Sequence, residues 1–281
     1  MPEIQLTSGA LEYRVEGSGP PVVLIHGAMV NGRVWERLVP LLARRTRCIV
    51  PDLPLGAHRR PMSPGADMSP PGLAALIAEM LDRLELEDVT LVGNDTGGAL
   101  SQLVAAHHPE RLSRLVLINC DAFEHFPPPS IAPAIKALGR LPGSLAALEL
   151  FGRLRAARNA TKKIAPLTVE PVPDELLKSW IRPLRDRAIR ADLRRVFRGI
   201  EPAHTLAAAE QLRDFERPAL IVWGMRDRFF PVDDAERLAH LFPNARLERV
   251  DDARTFVQLD KPERVAELIE EFISAPTARQ A

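Results

Sequence analysis

Two cysteines, Cys48 and Cys120, are all that this chain of 281 residues contains. That is too few for a disulfide scaffold or a cysteine-built metal site. Neither sign of charge is in excess. Lys+Arg and Asp+Glu both number 37, so no net charge pulls the molecule toward nucleic acid or a membrane surface. No apolar run approaches the roughly 20 residues that cross a bilayer. The first residues, Met1 to Gln5, lack the basic-then-apolar pattern of a signal peptide, so a cytoplasmic, reduced setting is expected. Tyrosine is nearly missing, with Tyr13 alone. No nucleotide loop, dinucleotide fingerprint or metal-ligand cluster is present, and no cofactor is expected. What remains is 46% hydrophobic and 26% charged, enough for a sizeable core in one large domain or a core with a modest second unit.

Short apolar runs alternating with helical stretches predict a mainly parallel α/β sheet. Residues 4–6 and 11–15 alternate around Ser8-Gly9 as an opening hairpin. Residues 22–25, 47–50, 89–92 and 115–118 are continuous β-branched and leucine runs, suited to strands covered on both faces. Residues 72–86 place Leu73, Leu76, Ile77, Met80, Leu81 and Leu84 at helical spacing behind Ser69-Pro70-Pro71. The rhythm breaks at Phe126-Pro127-Pro128-Pro129. From there to about residue 215 the pattern is helical, and residues 136–198 carry 15 Lys/Arg against 6 Asp/Glu. That surplus reads either as solvated helix faces or as a basic cap attracting an anion. Strand and helix signals then resume at 219–223, 233–241, 246–250 and 263–272.

Directly after the strand at 89–92 comes Gly93-Asn94-Asp95-Thr96-Gly97-Gly98, and then a helix. A sharp strand–turn–helix needs small neighbours, because it holds its central side chain in a strained backbone over a helix N-terminus. On these residues the chain resembles the α/β-hydrolase superfamily, with Asp95 where many members have serine. That substitution is similar to the haloalkane dehalogenase and epoxide hydrolase branch. His26-Gly27 with Trp35, Pro51-Asp52-Leu53, the run from Trp223 to Pro231 and the run from Phe256 to Arg264 extend the resemblance over nearly the whole chain. It implies an eight-stranded, mostly parallel sheet flanked by helices, with a core of residues 1–121 and 216–281. A helical cap, residues 122–215, would be inserted after the sixth strand. It also implies Asp95 as nucleophile, the backbone N–H groups of Ala28 and Thr96 as oxyanion donors, and Asp227 as supporting acid. Asp121 matches an alternative acid position, or caps the next turn. His26 shapes the oxyanion loop, and Cys120 is a small buried residue. Trp35 and Trp180 line an apolar pocket or pack.

The branch pattern places a histidine base just before Phe256, and here Thr255 stands in its position. A serine nucleophile would be disabled at once, since it must lose a proton before attacking. An aspartate, with an unperturbed pKa of about 3.9, is already anionic. Asp95 can attack an electrophilic carbon unaided, but release of the ester needs an activated water. His125, His58 and His204, with the loop acids Asp251 and Asp252, are the candidates to replace the base. Thr96 also occupies the place of the tryptophan that holds the halide in dehalogenases. The cap has no tyrosine to serve an epoxide.

Three functions follow. The first is a hydrolase-like enzyme on a small, largely apolar organic molecule. The second is a lyase, isomerase or cyclase in which Asp95 acts as a base. The third is a silent ligand-binding protein. A small-molecule substrate is expected, with no nucleic acid or membrane partner.

Overall fold

The apolar runs become eight strands: β1 Glu3–Leu6, β2 Gly9–Glu16, β3 Pro21–Ile25, β4 Arg47–Pro51, β5 Val89–Asp95, β6 Leu112–Cys120, β7 Ala219–Gly224 and β8 Ala245–Val250. The structure, a computed structural model, describes residues 1–164 and 166–275. The sheet order is β1-β2-β4-β3-β5-β6-β7-β8. β1 and β2 form the expected hairpin, with Leu6 opposite Gly9, and β2 is antiparallel to β4. All other neighbours are parallel. Parallel neighbours need crossovers, and helices provide most of them. Ahead of β6 these are α1 Val39–Leu42, α2 Pro70–Arg83 and α3 Thr96–His107. Between β6 and β7 lie α4 Ala132–Arg140, α5 Ser144–Arg153, α6 Arg155–Ile164, α7 Asp174–Ile181, α8 Arg187–Gly199 and α9 Pro202–Leu212. α10 Val232–Leu241, α11 Val257–Asp260 and α12 Pro262–Ser274 complete the chain.

Alternation along the central strands divides the core into two layers. Val23, Ile25, Leu91, Leu115, Leu117 and Ile221 enter one cluster, packed with α2, α3 and α10. Val22, Leu24, Val92, Val116, Ile118 and Leu220 enter the other, packed with α12. Both faces are dry, which is why these strands read as unbroken apolar runs. Ser69 begins α2 by accepting from the Gly72 N–H at 3.3 Å, with Pro70 in the first turn.

β5 is longer than the sequence pattern predicts. It continues through Gly93 and Asn94, opposite Leu117 and Ile118, and ends at Asp95 itself; the helix begins at Thr96. Gly93, which read as a turn residue, is held in the ladder by β6.

The insertion between β6 and β7 is tied down at several points. α9 packs on α3 and α8 packs on α4. The His58 Nε2 lies 3.2 Å from an Asp192 oxygen, with both side chains buried, joining the loop after β4 to α8. Trp180 of α7 meets Phe256 edge to face at 5.8 Å. The chain runs outward from β3 to β4, then crosses back to β5 on the other side of β3. That reversal leaves a crevice at the carboxyl ends of β3 and β5, where ligands bind in open α/β sheets. Among the described residues, no helix is long and apolar enough to cross a membrane.

Candidate active site

Asp95 sits at the end of β5 with φ 58° and ψ −135°, a conformation uncommon for a residue with a side chain. Neighbouring glycines make room for it. A Cβ on Gly97 would overlap the backbone carbonyls of Ile25 and His26, and one on Gly27 would overlap the Asp95 carboxyl. The strained elbow thus presses against the loop after β3, and two backbone donors converge there. The Thr96 N–H donates to Asp95 Oδ1 at 2.6 Å, and the Ala28 N–H donates to the same oxygen at 3.2 Å. Burial outweighs these donors and lifts the Asp95 pKa to about 6, with the Asp227 charge adding to the rise.

His26 is fully buried and both ring nitrogens are bonded. Nε2 accepts from the Leu53 N–H at 2.8 Å, which leaves Nδ1 to donate to the Gly27 carbonyl at 2.8 Å. Burial lowers its pKa, so it is a neutral strut of the Ala28 loop, as its sequence context implied.

Asp227 and Thr255 meet. The Thr255 hydroxyl donates to Asp227 Oδ1 at 3.1 Å, and the Phe229 and Phe230 N–H groups donate to the same oxygen. Asp227 Oδ2 accepts from Asn119 Nδ2 at 2.6 Å. Burial raises the Asp227 pKa against these four donors. Asn119, with φ 24°, is a residue the sequence reading passed over in favour of Asp121 two positions on. β6 runs through Cys120, so the side chain at 119 is the one aimed at β7 and Asp227. Asn94 was missed as well. Its Nδ2 donates to the carbonyls of Ile118, Asn119 and Thr255, and its Oδ1 accepts from Gln258 Nε2 at 2.8 Å. The residue beside the elbow therefore holds the Thr255 segment in place.

Asp121 follows Cys120, which pairs with Asp95 across β5 and β6. It is 2% exposed, one of its oxygens has no partner, and the Thr96 hydroxyl acts on both it and Asp95. Burial and the Asp95 charge hold its carboxyl well above the ordinary range. Cys120 is buried, its thiol likewise pushed up by burial.

Among the candidate replacement bases, His125 and His58 are bonded to other carboxylates. His125 Nδ1 lies 2.6 Å from Asp234 Oδ2, on α10. His58 accepts from the Gly56 N–H and faces Asp192. His204 lies partly buried on α9. Asp251 and Asp252 are exposed, and Asp252 pairs with Arg226 and Lys261. Trp35 and Trp180 are buried, and neither indole N–H has a partner.

Within the insertion, Arg153 and Arg185 share Glu149, while Arg158 and Lys178 share Asp174. A cleft of about 770 Å³ at the seam between the insertion and the core is lined by Arg14, Arg33, Arg59, Arg182 and Arg185 with Asp52 and Asp186. Arg33 and Arg59 are paired with Glu36 and Glu12. No group of three or more His, Cys, Asp or Glu among the described residues is placed to hold a metal.

Residues 20–262 match the family described as alpha/beta hydrolase fold. The chain belongs to that family. Within it, the chain is 30% identical to haloalkane dehalogenase 2 of Mycobacterium tuberculosis, over 94% of this chain and 92% of that one. It is also 30% identical to the 2-hydroxy-6-oxo-2,4-heptadienoate hydrolase of Pseudomonas putida, over 95% of each. An alpha/beta hydrolase fold protein from Burkholderia ambifaria superimposes with a TM-score of 0.80 at 27% identity, covering 96% of this chain and 97% of that one.

Proposed function

We propose that this α/β-hydrolase-fold chain is an enzyme acting on a small, largely apolar organic molecule through Asp95. One observation carries the reading: two backbone N–H groups, from Ala28 and Thr96, meet on a single oxygen of Asp95. They fix Oδ1 and leave Oδ2 to attack. After attack, Oδ1 is the carbonyl oxygen of an alkyl ester, already between the donors that would hold it as an oxyanion when water adds. Asp227 is the supporting acid, and Thr255 fills the place of the histidine, its hydroxyl far too weak a base to activate water. Residues 122–215 form the cap, with Trp35 and Trp180 as pocket residues whose free indole N–H groups suit a substrate acceptor. Similarity to a protein named as a haloalkane dehalogenase supports attack at an electrophilic carbon.

The raised Asp95 pKa favours a second reading. A carboxylate titrating near 6 is a better proton acceptor at neutral pH than an ordinary one, which suits a lyase, isomerase or cyclase with no covalent intermediate.

Peptide mass spectrometry of the Asp95 segment separates the two. The protein is exposed to 1-bromohexane, 1,2-epoxyhexane and a small lactone in heavy-oxygen water. The covalent reading expects either a substrate mass on Asp95 or heavy oxygen in its carboxylate, and neither in Asp95→Asn. Substrate conversion with an unlabelled, unmodified Asp95 would favour the second reading.

A further inference from the structure

A covalent mechanism at Asp95 lacks a proton carrier: the histidine position holds Thr255, and His125 and His58 face other carboxylates. The site has one titratable group that none of its contacts accounts for. Asp121 follows Cys120, the residue in register with Asp95 across β5 and β6. It is 2% exposed, and its Oδ1 has no hydrogen-bond partner. The Gln102 amide beside it donates to its backbone carbonyl, not to the carboxyl. The charges acting on Asp121 are other carboxylates: Asp95 at the end of β5 and Asp234 on α10. Asp234 is itself engaged by His125 and Arg237. A buried carboxyl with no cation and an unpaired oxygen is held as the neutral acid. Its O–H is a proton source, and the Thr96 side chain acts on both it and Asp95.

We propose that Asp121 is the catalytic proton carrier of this site, taking the part that the missing histidine would play. The inference rests on Asp95 acting as nucleophile. With an epoxide, Asp95 Oδ2 forms the C–O bond, the epoxide C–O bond breaks toward its oxygen, and the Asp121 proton passes to that oxygen. One negative charge stays in the site and moves from Asp95, now a neutral ester, to Asp121. The desolvated Asp121 carboxylate then takes a proton from water as the hydroxide adds to the ester carbonyl carbon. Oδ1 carries the oxyanion between Ala28 and Thr96. Collapse expels the alkoxide, which takes the proton of the newly formed Asp95 acid. Asp95 returns as the carboxylate and Asp121 as the acid, and the net reaction is epoxide plus water to diol.

The leaving group becomes the diagnostic. Bromide departs without a proton, so Asp121 remains an acid and cannot activate water. Time-resolved intact mass spectrometry of wild-type protein should therefore show the 1-bromohexane adduct released roughly tenfold or more slowly than the 1,2-epoxyhexane adduct. Asp121→Asn, which keeps the shape and removes the transferable proton, should slow release of the epoxide adduct roughly 100-fold. Equal release from both probes in wild type, or wild-type release in Asp121→Asn, overturns the role of Asp121 while leaving the nucleophile intact. No adduct and no heavy oxygen on Asp95 with either probe removes the covalent reading, and this one with it. The wild-type comparison needs no variant, so misfolding of Asp121→Asn would not blur the result.

Discussion

Asp95 is expensive to fold. A carboxyl moved from 3.8 to about 6 opposes folding by about 3 kcal/mol once folded and unfolded forms are both ionised. Between those values the folded state binds the extra proton, so stability falls as pH rises, and the cost is complete above about 6. Asp95→Asn keeps an oxygen for the Ala28 and Thr96 donors and removes the charge. It should melt higher than wild type at pH 8, and the advantage should vanish by pH 3.5; thermal melts across that range would show it. An equal gain at both pH values would mean that charge is not the cause. At this scale Asp95, Thr255 and Asp227 were legible, because strand, glycine spacing and a family pattern all mark them. Asn119 was not, since its importance depends on β6 running two residues past the apolar run, which a pattern of apolar residues does not mark. Asp121 was legible as an acid near the site, but its raised pKa is a product of burial.

The segment between β8 and α11, which carries Thr255, is tied to the sheet through Asn94 and Asp227. Asn94 holds it with a bond to the Thr255 carbonyl, and also bonds Ile118 and Asn119. Asn94→Ala leaves three buried carbonyls without this donor and should cost about 3 kcal/mol or more in denaturant unfolding, with an unchanged slope. A loss below about 1 kcal/mol would show that water replaces the amide. Because Thr255 already touches Asp227, Thr255→His puts an imidazole next to its acid. Release of the 1-bromohexane adduct should quicken roughly tenfold or more, while an unchanged rate would show that the ring does not reach the ester. Strand existence was readable from apolar runs, whereas strand ends were not. The ladder with β6 carried β5 through residues that locally read as a turn.

Across the whole molecule, the insertion is locked to the core by charge as well as by apolar packing. Asp192 of α8 faces His58, accepts from the Met62 N–H at 2.9 Å and pairs with Arg195. These partners hold its carboxyl below the ordinary range despite burial. Its contribution is therefore present above pH 4 and fades as pH falls through its lowered value. Asp192→Ala should destabilise the protein by about 3–5 kcal/mol at pH 7, and the two proteins should converge in strong acid. An undiminished gap at pH 2 would assign the loss to packing instead. The division into sheet and helical insertion was readable from the change in rhythm after β6. The pairing of the insertion's basic residues with Glu149 and Asp174 was not, because it depends on which helix faces meet.

The strand order also has a consequence for the timetable of synthesis. β3, β5 and β6 can pair as soon as residue 120 is free of the ribosome, and with them come Ala28, Thr96 and Asp95. Asp227 and Thr255 lie beyond the insertion, and β7 cannot cover β6 until it has been made. At about 5–20 residues per second, that delay is on the order of 5–20 s. Throughout it, β6 presents an open, apolar edge, the kind of surface that recruits chaperones or other nascent chains. Asp95 and the two N–H groups that hold it are thus made and mounted well before Asp227 and Thr255 exist.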